Sequence, residues 1–230
     1  MPFGYRTIGL WFNHFSSPNI HFLTGASGTN NGNSIAIDDT GFAYVAGTID
    51  TLGDSTRFAK NHAPDYFFAN SREMGYITKY KISGHTPQLT SFITIIDTIS
   101  ATNPCGVDST SVFAHQTIVT NNGNVYVAGN FKGCNLLLTD ANGVPQLITT
   151  SSTAHLQDQN MFLAVFDDSL SPIACHIINT DSSLSLYTAD IVKGLGYSDL
   201  GEKVFFTGSV YGSYVHVEQV TQSFCWNKLK

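Results

Sequence analysis

Chemistry in this chain would have to come from a few short constellations. Cys175-His176 is the pair that could serve as nucleophile and base, but neighbours on an extended strand point to opposite faces and cannot form a hydrogen-bonded dyad. Packing of the thiol beside a satisfied histidine is the simpler reading. Paired carboxylates occur at Asp38-Asp39 and Asp167-Asp168. General acid and base need environments that hold their pKa values apart, whereas both pairs lie at the ends of apolar runs, where Asp closes a turn onto its own backbone. Thr139-Asp140-Ala141-Asn142-Gly143 resembles the start of a calcium loop, with Asp140 and Asn142 as the candidate metal ligands. The glutamate that completes such a loop is missing downstream, so a plain turn competes with it.

The remaining polar residues narrow the classes further. Eight histidines (14, 21, 62, 85, 115, 155, 176 and 216) show no metal-ligand spacing. No Walker loop, dinucleotide-binding glycine fingerprint or nucleophile elbow occurs, so no cofactor and no catalytic residue is expected. Eleven basic against 17 acidic residues leave a net charge of -6, and the only arginines, Arg6, Arg57 and Arg72, are scattered. Nucleic-acid binding needs clustered positive charge to displace counterions, so that class of partner is not expected. No apolar run approaches the roughly 18 residues of a spanning helix. The first fifteen residues do not read as a signal peptide, and seventeen asparagines include no Asn-x-Ser/Thr acceptor, which disfavours the eukaryotic secretory route. Cys105, Cys134, Cys175 and Cys225 are widely and unevenly spaced. That spacing fits neither a disulfide framework nor a zinc site; buried thiols, or one or two disulfides, remain open. Aromatic Asp65-Tyr66-Phe67-Phe68, in a long polar connection over 51 to 73, is either folded back on its own strands or an anchor for a partner.

The frame that positions these residues is an internal repeat. DDTGFAYVAGTID (38 to 50) recurs as NNGNVYVAGNFKG (121 to 133) and, more loosely, as SDLGEKVFFTGSVYG (198 to 212). The step from Gly41 to Gly123 equals the step from Gly47 to Gly129, and Gly129 to Gly208 is only slightly shorter; Gly201 takes the place of Gly41 in the third copy. In each copy a short apolar strand, a tight turn closed by glycine and a second apolar strand form a hairpin. A further strand pair follows at 75 to 81 and 89 to 96, and again at 160 to 166 and 173 to 178; Tyr76 answers to Phe162 and Tyr80 to Phe166 at one common spacing. The pattern predicts an all-β chain in four-stranded antiparallel meanders: a partial unit over 5–25, units over 34–96 and 116–178, and a partial unit over 189–220. Recurring four-stranded meanders are the pattern of propeller blades.

Within that frame, LTGASGTNNGNSIAIDDTGFAYVAG (23 to 47) resembles the SBBP, or seven-bladed β-propeller, repeat, with its Gly-rich loop, Ile-Ala-Val-Asp-like strand, glycine turn and Tyr-Val-Thr-Gly-like strand. Tyr76-Ile77-Thr78-Lys79-Tyr80 is similar to the strand that follows in that family, and Phe162-Leu163-Ala164-Val165-Phe166 fits it without the lysine. The family unit is much shorter than the period found here, so the resemblance implies long insertions, notably 97 to 114. It implies a propeller-like array, and four blades are the fewest that close a ring. Either the two ends share a blade in an unusually small ring, or the chain is an open arc completed by partners; bare strand edges favour the second. The expectation is a non-enzymatic scaffold that binds other protein subunits, as homo- or hetero-oligomer, in a surface layer, fibre or virus particle. A glycan-binding module using the long loops is the alternative, and a hydrolase or lyase acting in a ring channel is a third.

Overall fold

The computed structural model describes residues 7–10, 21–25, 29–50, 55–60, 63–68, 73–83, 86–97, 111–132, 135–140, 144–150, 159–180, 191–209 and 215–220. These residues form strands and turns, with no helix among them. In chain order the strands are β1 (Thr7–Leu10), β2 (His21–Gly25), β3 (Thr29–Ile37), β4 (Phe42–Asp50), β5 (Ser55–Lys60), β6 (Ala63–Phe68), β7 (Met74–Ser83), β8 (Thr86–Asp97) and β9 (Ser111–Val119). They continue as β10 (Val125–Lys132), β11 (Asn135–Asp140), β12 (Pro145–Thr150), β13 (Gln159–Phe166), β14 (Pro172–Thr180), β15 (Ile191–Ser198), β16 (Lys203–Ser209) and β17 (Val215–Val220).

Two antiparallel meanders recur in the same sense: β3-β4-β7-β8, then β9-β10-β13-β14. The glycines explain why the same geometry returns. Gly41, Gly123 and Gly201 close their turns at φ of 87°, 84° and 85°, a region that L side chains rarely enter. Gly47 and Gly129 lie beside register shifts where a β-bulge lets an aromatic ring settle on bare backbone. A Cβ on Gly47 would collide with Asn31 O and stand 2.7 Å from the Tyr76 ring; on Gly129 it would collide with Phe113 O and stand 2.7 Å from the Phe162 ring.

The connection over 51 to 73 differs from the expectation of an unpaired loop. It carries the hairpin β5-β6, and the corresponding stretch of the next unit carries β11-β12. Each hairpin leaves its own meander and extends the sheet before it: β5 pairs with β2, β11 with β8 and, one step further, β17 with β14. The three attaching strands start at Ser55, Asn135 and Val215, evenly spaced along the chain. Each attaching strand covers an edge that would otherwise expose backbone donors and acceptors.

Packing between successive sheets repeats as well. β9 lies against β3, β4 and β7, and β15 against β9, β10 and β13. The main core fills the first of these interfaces: Tyr44, Ile77, Ile93 and Ile95 meet Val112, Val127, Phe131 and Phe162, with Leu136 and Leu138 of the added hairpin inside the same cluster. A second cluster (Ile49, Met74, Tyr76, Tyr80, Leu89, Phe92) covers the other face of the first meander. A smaller third one joins Ala128 and Met161 to Val192 of β15. Polar side chains stitch the same interfaces: Asn33 Nδ2 donates to Ala114 O (2.8 Å), Thr117 N to Ser34 Oγ (3.0 Å), and Val192 N to Asn130 Oδ1 (3.2 Å).

Candidate functional site

The turn ends of the first two meanders converge on a cleft of about 190 Å³ lined in part by Asp38, Phe42, Lys79, Thr120, Asn121 and Asp168. β4, β7, β9 and the turn after β13 place these side chains. Asp38 is occupied by its own turn: Oδ1 accepts from Thr40 N (2.9 Å), Thr40 Oγ1 (2.8 Å) and Phe42 N (2.9 Å), and Oδ2 from the Tyr44 hydroxyl (3.1 Å). Partial burial pushes this carboxyl up, but these hydrogen bonds together outweigh it and leave it below its ordinary value of 3.8. Tyr44 answers in the opposite sense, raised by burial first and by the charge and hydrogen bond of Asp38 next. An aspartate locked as a carboxylate and a phenol locked as a phenol are poor proton carriers near neutrality.

Asp167 plays the same part in its turn, accepting from Ser169 N (2.9 Å) and Ser171 N (2.7 Å). Lys79 bridges the two meanders: its Nζ donates to Asp168 O at 2.5 Å and sits 4.0 Å over the Phe42 ring and 5.5 Å over that of Tyr44. A cation held by a carbonyl and two ring faces is a structural tie. The cleft therefore lies where two repeats are tied together.

The other sequence candidates are dispersed. Cys175 is buried in the main core, while His176 beside it is half-buried on the opposite face, its pKa pulled down by burial. His115 is also pulled down by burial, opposed by a hydrogen bond with Asn130, and stacks on Phe113 with centroids 6.1 Å apart. Thr139, the start of the calcium-loop-like stretch, lies in β11, where its hydroxyl is hydrogen-bonded to that of Thr94. Asp140 ends the same strand opposite Ile93, and Asn142 lies outside the described residues. Among the described residues no group of three or more His, Cys, Asp or Glu could hold a metal ion. Asp65, Tyr66, Phe67 and Phe68 fall on β6, opposite Phe58, Arg57, Thr56 and Ser55 of β5, and so belong to a sheet rather than a loop.

The surface that stands out is an edge. In the first two meanders the second strand is covered on its far side by the third, β4 by β7 and β10 by β13. The third copy of that strand, β16, pairs with β15 alone among the described residues. Equivalent positions register the difference: Ala46 and Ala128 are fully buried, whereas Thr207 is exposed, and Tyr44 is 0% exposed against 54% for Phe205. The glycine repeat carried the signal for β16 itself. That edge could not be read from the sequence, because backbone pairing leaves little mark on side-chain identity. No helix among the described residues is long and apolar enough to cross a membrane. Comparisons with known protein families, with curated proteins and with solved structures return no match.

Proposed function

We propose that the chain is a non-enzymatic scaffold: a propeller-like array of meander blades, akin to the SBBP repeat, that joins other protein subunits in an assembly such as a surface layer, fibre or virus particle. The observation that carries this reading is β16, which among the described residues pairs with β15 alone, whereas its counterparts in two earlier repeats have a strand on both sides. Bare edges template pairing with another chain, and proteins that stay single normally blunt them. The cleft chemistry supports the same view, since Asp38, Asp167 and Lys79 spend their polar atoms on turns and on the tie between repeats.

Negative-stain imaging of the purified chain tests the proposal, with particles of more than one copy as the expected result. Single-copy particles that bind a glycan on an array would overturn it in favour of a ligand-binding module.

A further inference from the structure

The two ends of the strand order are complementary. The first sheet, β1-β2-β5-β6, contains a hairpin extended on its β2 side by β5, and among the described residues the last sheet holds β15-β16 alone. In the complete meanders the strand extended by the next hairpin is the fourth: β8 receives β11, and β14 receives β17. β2 receives β5 and therefore stands in the fourth place, which puts β1 in the third. Packing agrees, because β3 lies against β1 as β9 lies against β7 and β15 against β13. The chain thus holds strands one and two of a blade at β15-β16 and strands three and four at β1-β2. β1 is an uncovered edge among the described residues, as β16 is.

We infer that β1 of one copy pairs antiparallel with β16 of a second copy, completing a blade across the two chains. The two complete meanders give registers one residue apart: the second, where Glu218 as the fourth residue of β17 meets Ile177 and through it Phe162, places Thr7 opposite Gly208 and Ile8 opposite Thr207, and the first gives the following. Phe58↔Thr24 and Leu138↔Ile95 are corresponding pairs, since Phe58 and Leu138 are each the fourth residue of the attaching strand; Thr24 thus stands where Ile95 does. Thr7↔Thr24 and Gly75↔Ile95 then place Thr7 at the position of Gly75, and Ile8 at that of Tyr76. Tyr76 pairs with Gly47 and Phe162 with Gly129, so Ile8 falls opposite Gly208 and Gly9 opposite Thr207.

Count decides between pairing within one chain and between two. The described residues of one copy hold two full meanders and the two halves of a third, so closure among them within a chain would need a three-bladed ring, fewer than the roughly four to eight blades that rings contain. Two copies joined head to tail at both junctions make six blades, inside that range, and a closed two-fold ring leaves neither β1 nor β16 bare. A third copy would exceed it. The inference rests on the scaffold reading and names its partner as the same chain.

The test is a mixed oxidation. A chain carrying Thr207→Cys is combined with one carrying Gly9→Cys or, for the register shifted by one residue, Ile8→Cys; residues directly opposite in an antiparallel pair have Cα atoms about 4.5–5.5 Å apart, within disulfide reach. A covalent species of twice 25.0 kDa is expected in the mixture and not with either variant alone. The unsubstituted chain, weighed by native mass spectrometry, should already be a dimer whether or not the variants fold. A multimer that gives no cross-link between these positions would overturn the β1–β16 pairing while leaving the scaffold reading standing. A chain that is monomeric throughout would overturn both.

Discussion

At the residue scale the glycines and one threonine give the sharpest expectations. Gly129→Ala drives a methyl into Phe113 O and the Phe162 ring, backbone and core that cannot move aside, and should cost about 2–3 kcal/mol in urea unfolding. Gly196→Ala meets nothing within 4 Å and should be neutral or slightly stabilising, which makes it the control. Thr117 hides a hydroxyl with no partner among the described residues. Thr117→Val keeps the shape without the unsatisfied oxygen and should raise stability by about 1 kcal/mol, read in the same unfolding assay. Titration adds a direction. The Asp38 carboxyl is lowered in the fold, so its contribution is present above its ordinary 3.8 and is lost as the pH falls through the lower folded value. His115 and His176 are also lowered, so their unfolded forms take up protons first and stability begins to decline below 6.5. Unfolding followed from neutral to acid pH should show both stages, and His115→Gln with His176→Gln should remove the earlier one. These side-chain roles were only partly legible in the sequence. The turn glycines announced themselves by spacing, and the Asp38 turn by its Asp-Asp-Thr-Gly chemistry. Lys79 stood out only as one letter of a strand motif, because its partners Asp168 and Phe42 belong to a different repeat and a different strand.

At the element scale the added hairpins matter most. β11 sits in the sheet of the preceding meander, with Leu138 opposite Ile95 and both in the main core. Leu138→Ala should cost about 2–5 kcal/mol, and the lost protection should reach β8 across the unit boundary. Amide hydrogen exchange at Ile93 to Ile96 measures this; protection lost only in β11 and β12 would show that the hairpin is an appendage rather than a clasp. The main meander strands were readable, since TGFAYVAG and NGNVYVAG repeat both turn and apolar run. The hairpins were not, because STRFAK, NLLLTD and VHVEQV share almost no residues. What recurs in them is a backbone edge and an even spacing along the chain, and backbone pairing leaves little mark on side-chain identity. Asp65 to Phe68 were misplaced for the same reason, as an aromatic loop instead of a strand.

At the scale of the whole molecule, strand order turns an inventory of sheets into an expectation about copies. β3-β4-β7-β8 and β9-β10-β13-β14 are meanders of one pattern, β15-β16 is a strand pair, and the exposure of Phe205 and Thr207 marks a strand that has one partner among the described residues. Charge opposes self-association: a net of -6 on each copy repels at long range, and salt should strengthen the pairing by screening. The most direct measurement is the mass of the unmodified chain by light scattering over a wide concentration range. The account predicts twice the 25.0 kDa of one chain, whereas a mass of 25.0 kDa at every concentration would contradict it.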